Sequence, residues 1–148
     1  MIAKDLMTTP VVTIEENSTV EKAARLMLDE DISALPVLNS SGKVVGILTH
    51  SDFGLSPKFR PLMENVFSML GSTTTPRHLE ETAHKVGGKL VRDVMRRHVI
   101  TASQDTDMEH IAQLMLRANI HRLPIVDGDR LVGIITRHDF LKLIVSSE

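Results

Sequence analysis

At 148 residues, with 42% hydrophobic and 24% charged side chains, the chain suits one compact domain or two small halves sharing a core. A net charge of −2 excludes the basic surface that nucleic acid or an anionic membrane demands, and four Phe with no Trp or Tyr exclude a stacking platform for single strands. The lack of cysteine excludes disulfides, thiolate catalysis and cysteine-ligated zinc.

No run approaches the ~18 apolar residues of a membrane span. Met1-Ile2-Ala3-Lys4-Asp5 lacks the long apolar stretch of a secretory signal. A cytoplasmic protein is expected, with neither nucleic acid nor membrane among its partners.

In chain order, Val11–Ile14 is a β-branched run that reads as a first strand. Ser18-Thr19-Val20-Glu21 reads as a capping box opening a helix, with Val20, Ala23, Ala24, Met27 and Leu28 on one face. Leu35–Leu38 and Val44–Leu48 read as strands around a hairpin tip at Asn39–Lys43. A closing helix begins near Ser51.

Pro57 and Pro61 cut that helix short. Pro61–Leu70 reads as a helix with Leu62, Val66, Met69 and Leu70 on one side. Thr75-Pro76 starts another, and Gly87-Gly88 stops it. The stretch 54–90 is a helical insertion, either a linker packed on its neighbours or an arm that docks a partner.

From residue 91 the chain repeats itself. At an offset of 88, Asp5-Leu6-Met7 falls on Asp93-Val94-Met95, and 12 of the 32 positions from 5 to 36 are identical, which identifies a duplication. Val99–Ala102 is again a strand, and Thr106-Asp107-Met108-Glu109 again a capping box. Met108, Ile111, Ala112, Met115 and Leu116 form the helix face. Leu123–Val126 and Leu131–Ile135 are strands, and a helix begins near His138. The offset drops to 87 at the second hairpin tip, Asp127–Arg130. The expected fold is α/β (α+β), two β-α-β-β-α repeats at 1–53 and 91–148.

The repeated octapeptides carry the chemistry: Gly46-Ile47-Leu48-Thr49-His50-Ser51-Asp52-Phe53 and Gly133-Ile134-Ile135-Thr136-Arg137-His138-Asp139-Phe140. Each follows a strand and opens a helix, whose free N–H groups and partial positive charge suit a phosphate. A carboxylate one turn on can accept two hydrogen bonds from a ribose diol. The glycine allows close backbone approach. The same Thr-x-x-Asp pattern is also a capping box that needs no ligand.

In their order, Asp-Val-Met, strand, helix, Leu-Pro, hairpin and Gly-Ile-Ile/Leu-Thr-x-x-Asp resemble the CBS domain, and two in tandem resemble a Bateman module. The resemblance covers all but about residues 54–90. It implies two units related by a pseudo-two-fold, two clefts between their sheets, and regulatory binding of AMP, ADP, ATP or S-adenosylmethionine, with no cofactor required.

It also implies that Asp52 and Asp139 hold ribose and that Thr49 and Thr136 face ribose or phosphate, with Arg137 and His138 beside them. Residues before and within the Leu-Pro step line the same clefts: His121, Arg122 and Pro124 in copy two, and Ser33, Ala34 and Pro36 in copy one. The His-Arg pair resembles a stretch of the γ subunit of AMP-activated protein kinase that faces nucleotide phosphate. A guanidinium beside an imidazole suits phosphate, so copy two is expected to take a phosphorylated adenosine. Copy one is expected to be weaker, empty, or suited to a less charged ligand. Thr13 and Thr101 are expected at the adenine pockets.

The family further implies a homodimer and a client protein in another chain. Two other readings stay open at this point: a structural dimerisation module with unoccupied clefts, and a nucleotide-processing enzyme with only His121 and His138 as bases. Catalytic residues and a metal site are not expected, because the seven His lack a helical ligand pair beside a Glu. The run Arg92, Arg96, Arg97, His98 reads as a solvated linker face, with an approach to a phosphate as the alternative.

Overall fold

A computed structural model describes residues 1–49, 52 and 76–146. The expected Pro61–Leu70 helix, the breaks at Pro57 and Pro61 and the start of copy one's closing helix lie outside these residues. The described elements are α1 (Ala3–Leu6), β1 (Ile14–Glu15), α2 (Val20–Asp29), β2 (Ala34–Leu38), β3 (Val44–Thr49), α3 (Pro76–Gly87), α4 (Val91–Val94), β4 (Ala102–Ser103), α5 (Met108–Ala118), β5 (Arg122–Asp127), β6 (Arg130–Thr136) and α6 (Arg137–Ser146). This is a mixed α/β fold with two three-stranded sheets, ordered β1-β2-β3 and β4-β5-β6.

The sheets are twins. β1 runs parallel to β2, with Ile14 opposite Val37, and β4 runs parallel to β5, with Ala102 opposite Ile125. A helix makes each parallel crossover. β5 and β6 then pair antiparallel, with Arg122 opposite Thr136 and a bulge at Ile125/Val126. The hairpin tips hold Gly42 (φ 80°) and Gly128 (φ 61°), a left-handed conformation that glycine adopts without strain.

The helices end alike as well. Asp31 (φ 50°) and Asn119 (φ 51°) take the left-handed conformation after α2 and α5. Ile32 N–H and Ile120 N–H then donate back to Met27 and Met115 carbonyls.

Three expectations need correction. The first strands lie at Ile14–Glu15 and Ala102–Ser103, not Val11–Ile14 and Val99–Ala102. Only these residues lie opposite the central strands, and a β-branched run without a partner forms no ladder. The helix caps are Thr19, which accepts from Lys22 N–H, and Asp107, which accepts from Glu109 N–H; each lies one residue beyond the expected Ser18 and Thr106.

Leu28 and Leu116 are 81% and 79% exposed, whereas Val20, Ala23 and Met27, and Met108, Ile111 and Met115, are buried. The buried stripe runs at i, i+3 and i+7, and the neighbour after each Met turns outward.

The repeats also exchange their leaders. Met1–Val12 clusters with Ser41–Val44 and Val99–Glu148 in one compact unit, while Thr13–Ser40 and Val45–His98 form the other. In the first unit, Ala3 and Leu6 of α1 join a core of Met108, Ile111, Met115, Leu123, Ile125 and Ile135. Ala3 N–H donates to Thr106 O and Lys4 N–H to Gln104 O. Thr8 forms a two-way bridge with Ile134 of β6.

The second unit repeats the pattern. Val91 N–H donates to Ser18 O, Arg92 N–H to Glu16 O, and Arg96 bridges Ile47 of β3. Every partner keeps the offset of 88 or 87. The closing part of the insertion, α3, packs on α2 with Val86 buried and Gly87 against Glu21.

Candidate functional site

Each octapeptide glycine lies within its last strand, and its open face is already used. A Cβ at Gly133 would meet Met7 Sδ at 2.3 Å, and a Cβ at Gly46 would meet Met95 Sδ at 2.3 Å. The close approach anticipated for a ligand is that of the leader methionines.

In copy two, Asp139 is 2% exposed at the first turn of α6. Its Oδ2 accepts from Thr136 N–H (2.8 Å) and the Thr136 hydroxyl (3.3 Å). Its Oδ1 accepts from the Thr8 hydroxyl (3.1 Å) and Lys142 Nζ (2.6 Å). The Thr136 bonds are the capping arrangement that the pattern allows without ligand.

In copy one, Asp52 Oδ2 accepts from Thr49 N–H (2.9 Å) and the Thr49 hydroxyl (3.0 Å), and Oδ1 accepts from Arg96 Nε (2.8 Å). Thr8 and Arg96 are equivalent leader positions. Each buried carboxylate therefore has its own threonine on one oxygen and a leader residue on the other. Among the described residues each also has one cation. Copy two draws Lys142 from the same helix, and copy one draws Arg96 from the leader. Sequence reading missed Thr8, Lys142 and the ion pair of Arg96 with Asp52; Arg96 itself is exposed, as the solvated-face reading has it. Lys142 follows Asp139 by three residues on a helix, and that spacing was the available signal. Nothing in the sequence marks the leader exchange that brings in Thr8 and Arg96.

Burial pushes the Asp139 carboxyl up, but the Lys142 ammonium, the Thr136 N–H and the Thr8 hydroxyl outweigh it and hold it below the ordinary 3.8. A carboxyl more acidic when folded than unfolded adds stability above its unfolded value and loses it as pH falls through the folded one. Melting temperature should therefore drop below about pH 4, and Asp139→Asn should flatten that drop. An equally steep acid limb in the variant would assign the loss to other groups.

Of the remaining expected residues in copy two, Arg122 pairs with Thr136 across β5 and β6, and Arg137 N–H donates to His121 O at 3.2 Å. His121, Arg122, Thr136, Arg137, His138 and Asp139 thus gather at one end of one sheet. His121, Arg137 and His138 are exposed there. Pro124 sits two residues further along, buried opposite Ile134. Thr101 precedes β4, exposed, toward the Arg122 end of parallel β5.

In copy one, Ser33 precedes β2, which contains Ala34 and buried Pro36. Thr13 precedes β1, and Thr49 ends β3. His50 and Ser51 lie outside the described residues. Beside the polar cluster of copy two, Ala112, Met115, Leu116, Ile120, Arg137 and Phe140 line an apolar hollow of about 310 Å³; neither Asp139 nor Arg122 belongs to its wall.

Comparison with known proteins matches the CBS domain model at residues 3–53 and 91–146. The uncharacterized protein MJ1426 of Methanocaldococcus jannaschii is 34% identical over 158 residues, covering 98% of this chain and 92% of its own. The CBS domain of a CBS domain containing membrane protein from Sphaerobacter thermophilus superposes with a TM-score of 0.78 at 34% identity, covering 97% of this chain and 87% of its own.

The CBS domain pair of protein MJ0100, solved with 5-methylthioadenosine and S-adenosyl-L-methionine, superposes with a TM-score of 0.71 at 27% identity, covering 100% and 98%. Some relatives are longer enzymes: the chain spans 23% of the inosine-5'-monophosphate dehydrogenase of Methanocaldococcus jannaschii. Among the described residues, no helix is long and apolar enough to cross a membrane. With both halves matched in sequence and fold, the chain carries two CBS domains in tandem and belongs to the CBS domain family.

Proposed function

We propose that this chain is a regulatory module that binds an adenosine ligand and reports its presence to a client protein in another chain. The gathering of His121, Arg122, Thr136, Arg137, His138 and Asp139 at one sheet end carries this reading. It brings a carboxylate that can accept from a diol, two arginines and a helix N-terminus to the same sheet end, which suits a phosphorylated nucleoside. The adenosine compounds bound by the MJ0100 pair support the ligand class.

Copy two favours a phosphorylated ligand such as AMP, ADP or ATP. Copy one, with Ser33 and Ala34 where copy two has His121 and Arg122, favours a nucleoside without phosphate, such as methylthioadenosine or S-adenosylmethionine. A homodimer fits the exposed Leu116, Leu141, Ile144 and Val145 of α5 and α6.

A thermal-shift panel of AMP, ADP, ATP, S-adenosylmethionine and methylthioadenosine tests the reading, since a ligand that binds only the folded chain raises its melting temperature. Arg122→Ala should weaken AMP about 10- to 100-fold and methylthioadenosine less than about threefold, because methylthioadenosine offers no phosphate and is assigned to copy one. Equal losses for both, or no shift with any compound, would overturn it.

A further inference from the structure

We propose that the N-terminal leader, residues 1–9, is the element through which copy two reports an occupied site, because a ligand diol and Thr8 contend for the same oxygen of Asp139. The inference rests on the reading that Asp139 holds the ligand's ribose.

An ionised carboxylate offers about four acceptor positions. All four on Asp139 are filled: two on Oδ2 by Thr136, and two on Oδ1 by Thr8 and Lys142. A diol needs two of them. On Oδ2 the Thr136 N–H is set by the backbone at the start of α6 and only the Thr136 hydroxyl is free to turn, so Oδ1 is the one oxygen that can clear both of its positions. The Oδ1 pair can yield. Lys142 is half exposed and can turn its ammonium to water, and Thr8 is an exposed side chain on a segment outside the sheet's own repeat.

Losing the Thr8 bond weakens the end of a segment otherwise held by Met7 over Gly133, the Ile134 bridge, and the Ala3 and Lys4 N–H bonds. A hydrogen bond to a charged group is worth tenfold or more in an opening equilibrium.

Copy one is built to resist the same exchange. Its leader residue is Arg96, whose Nε holds Asp52 Oδ1 at 2.8 Å. Among the described residues Asp52 Oδ1 carries this ion pair and no leader hydroxyl, so a diol arriving there has no neutral leader bond to displace. A diol arriving at Asp139 thus loosens residues 1–9 and leaves residues 91–97 docked.

Hydrogen exchange on the full chain decides the matter, with AMP and its 2',3'-dideoxy analogue, which lacks the diol, each at saturation verified by calorimetry. AMP should speed exchange of the leader amides about tenfold or more, with no change at residues 91–97. The dideoxy analogue should bind without that effect. Thr8→Val should open the leader to a similar degree without ligand, and AMP should then add nothing. Thr8→Ser should restore the AMP response.

Bound AMP that protects the leader or leaves it unchanged, or a dideoxy analogue that acts as AMP does, overturns the leader's role alone. Failure of both nucleotides to bind removes the proposed function and this inference together.

Discussion

Deleting residues 1–8 should destabilise the second repeat, although in sequence the segment belongs to the first. Ala3 and Leu6 are buried in the core around Leu123, Ile125 and Ile135, and Met7 packs over Gly133. Burying one Leu and one Met side chain contributes about 1.5–3 kcal/mol each. The deletion also strips the Thr106 and Gln104 carbonyls and both Ile134 groups of partners. We expect a loss of about 3–6 kcal/mol, a large share of a small protein's stability. Hydrogen exchange should localise it: amides of β5 and β6 lose protection, and those of β2 keep theirs. Loss confined to β2 and β3 would contradict the exchange of leaders.

That exchange is the part of the fold least visible in the sequence. The repeat itself was legible because the same residue types recur in order: β-branched runs, an i, i+3, i+7 stripe, Leu-Pro, and Thr-x-x-Asp. These set local structure, so they located α2, α5, β2, β3, β5 and β6 to within a residue or two. Asp5-Leu6-Met7 and Asp93-Val94-Met95 stood out as a matched pair, yet a one-turn helix has no periodicity to read. Which sheet each covers is a tertiary choice. Leu28 and Leu116 show a related limit. Helical spacing admits them to the apolar face, but their neighbours Met27 and Met115 already fill the core position.

Part of the candidate site was legible as well. Arg122, Thr136 and Asp139 come to the same end of the sheet because the hairpin returns β6 beside the start of β5, and its short tip fixes that register. The glycine was legible as a place of close approach, but its partner was not. A missing Cβ states that something comes near, and only the fold shows that it is Met7.

Asp139→Ala should act on stability as well as on binding. The carboxylate caps α6 through Thr136 N–H, and losing a cap of this kind costs about 1 kcal/mol. It also fastens the leader through Thr8, and hydrogen bonds to a charged group are worth about 1.5–3 kcal/mol. Lys142 adds less, because its ammonium returns to water. The sum predicts a loss of about 2–4 kcal/mol by denaturant unfolding.

Asp139→Asn keeps one carbonyl oxygen for the Thr136 N–H, so it should lose about half as much. The pair then separates two roles that the single alanine variant confounds. If the carboxylate only caps a helix, Asn should bind AMP as the natural residue does. If it also grips a diol, Asn should remain folded, with α6 intact, and still lose AMP affinity by tenfold or more, because the one amide oxygen stays with Thr136 and the NH2 that replaces Oδ1 cannot accept from the diol. The dideoxy analogue makes the comparison internal: its affinity should be the same for Asp139 and for Asn, since it has no diol to lose.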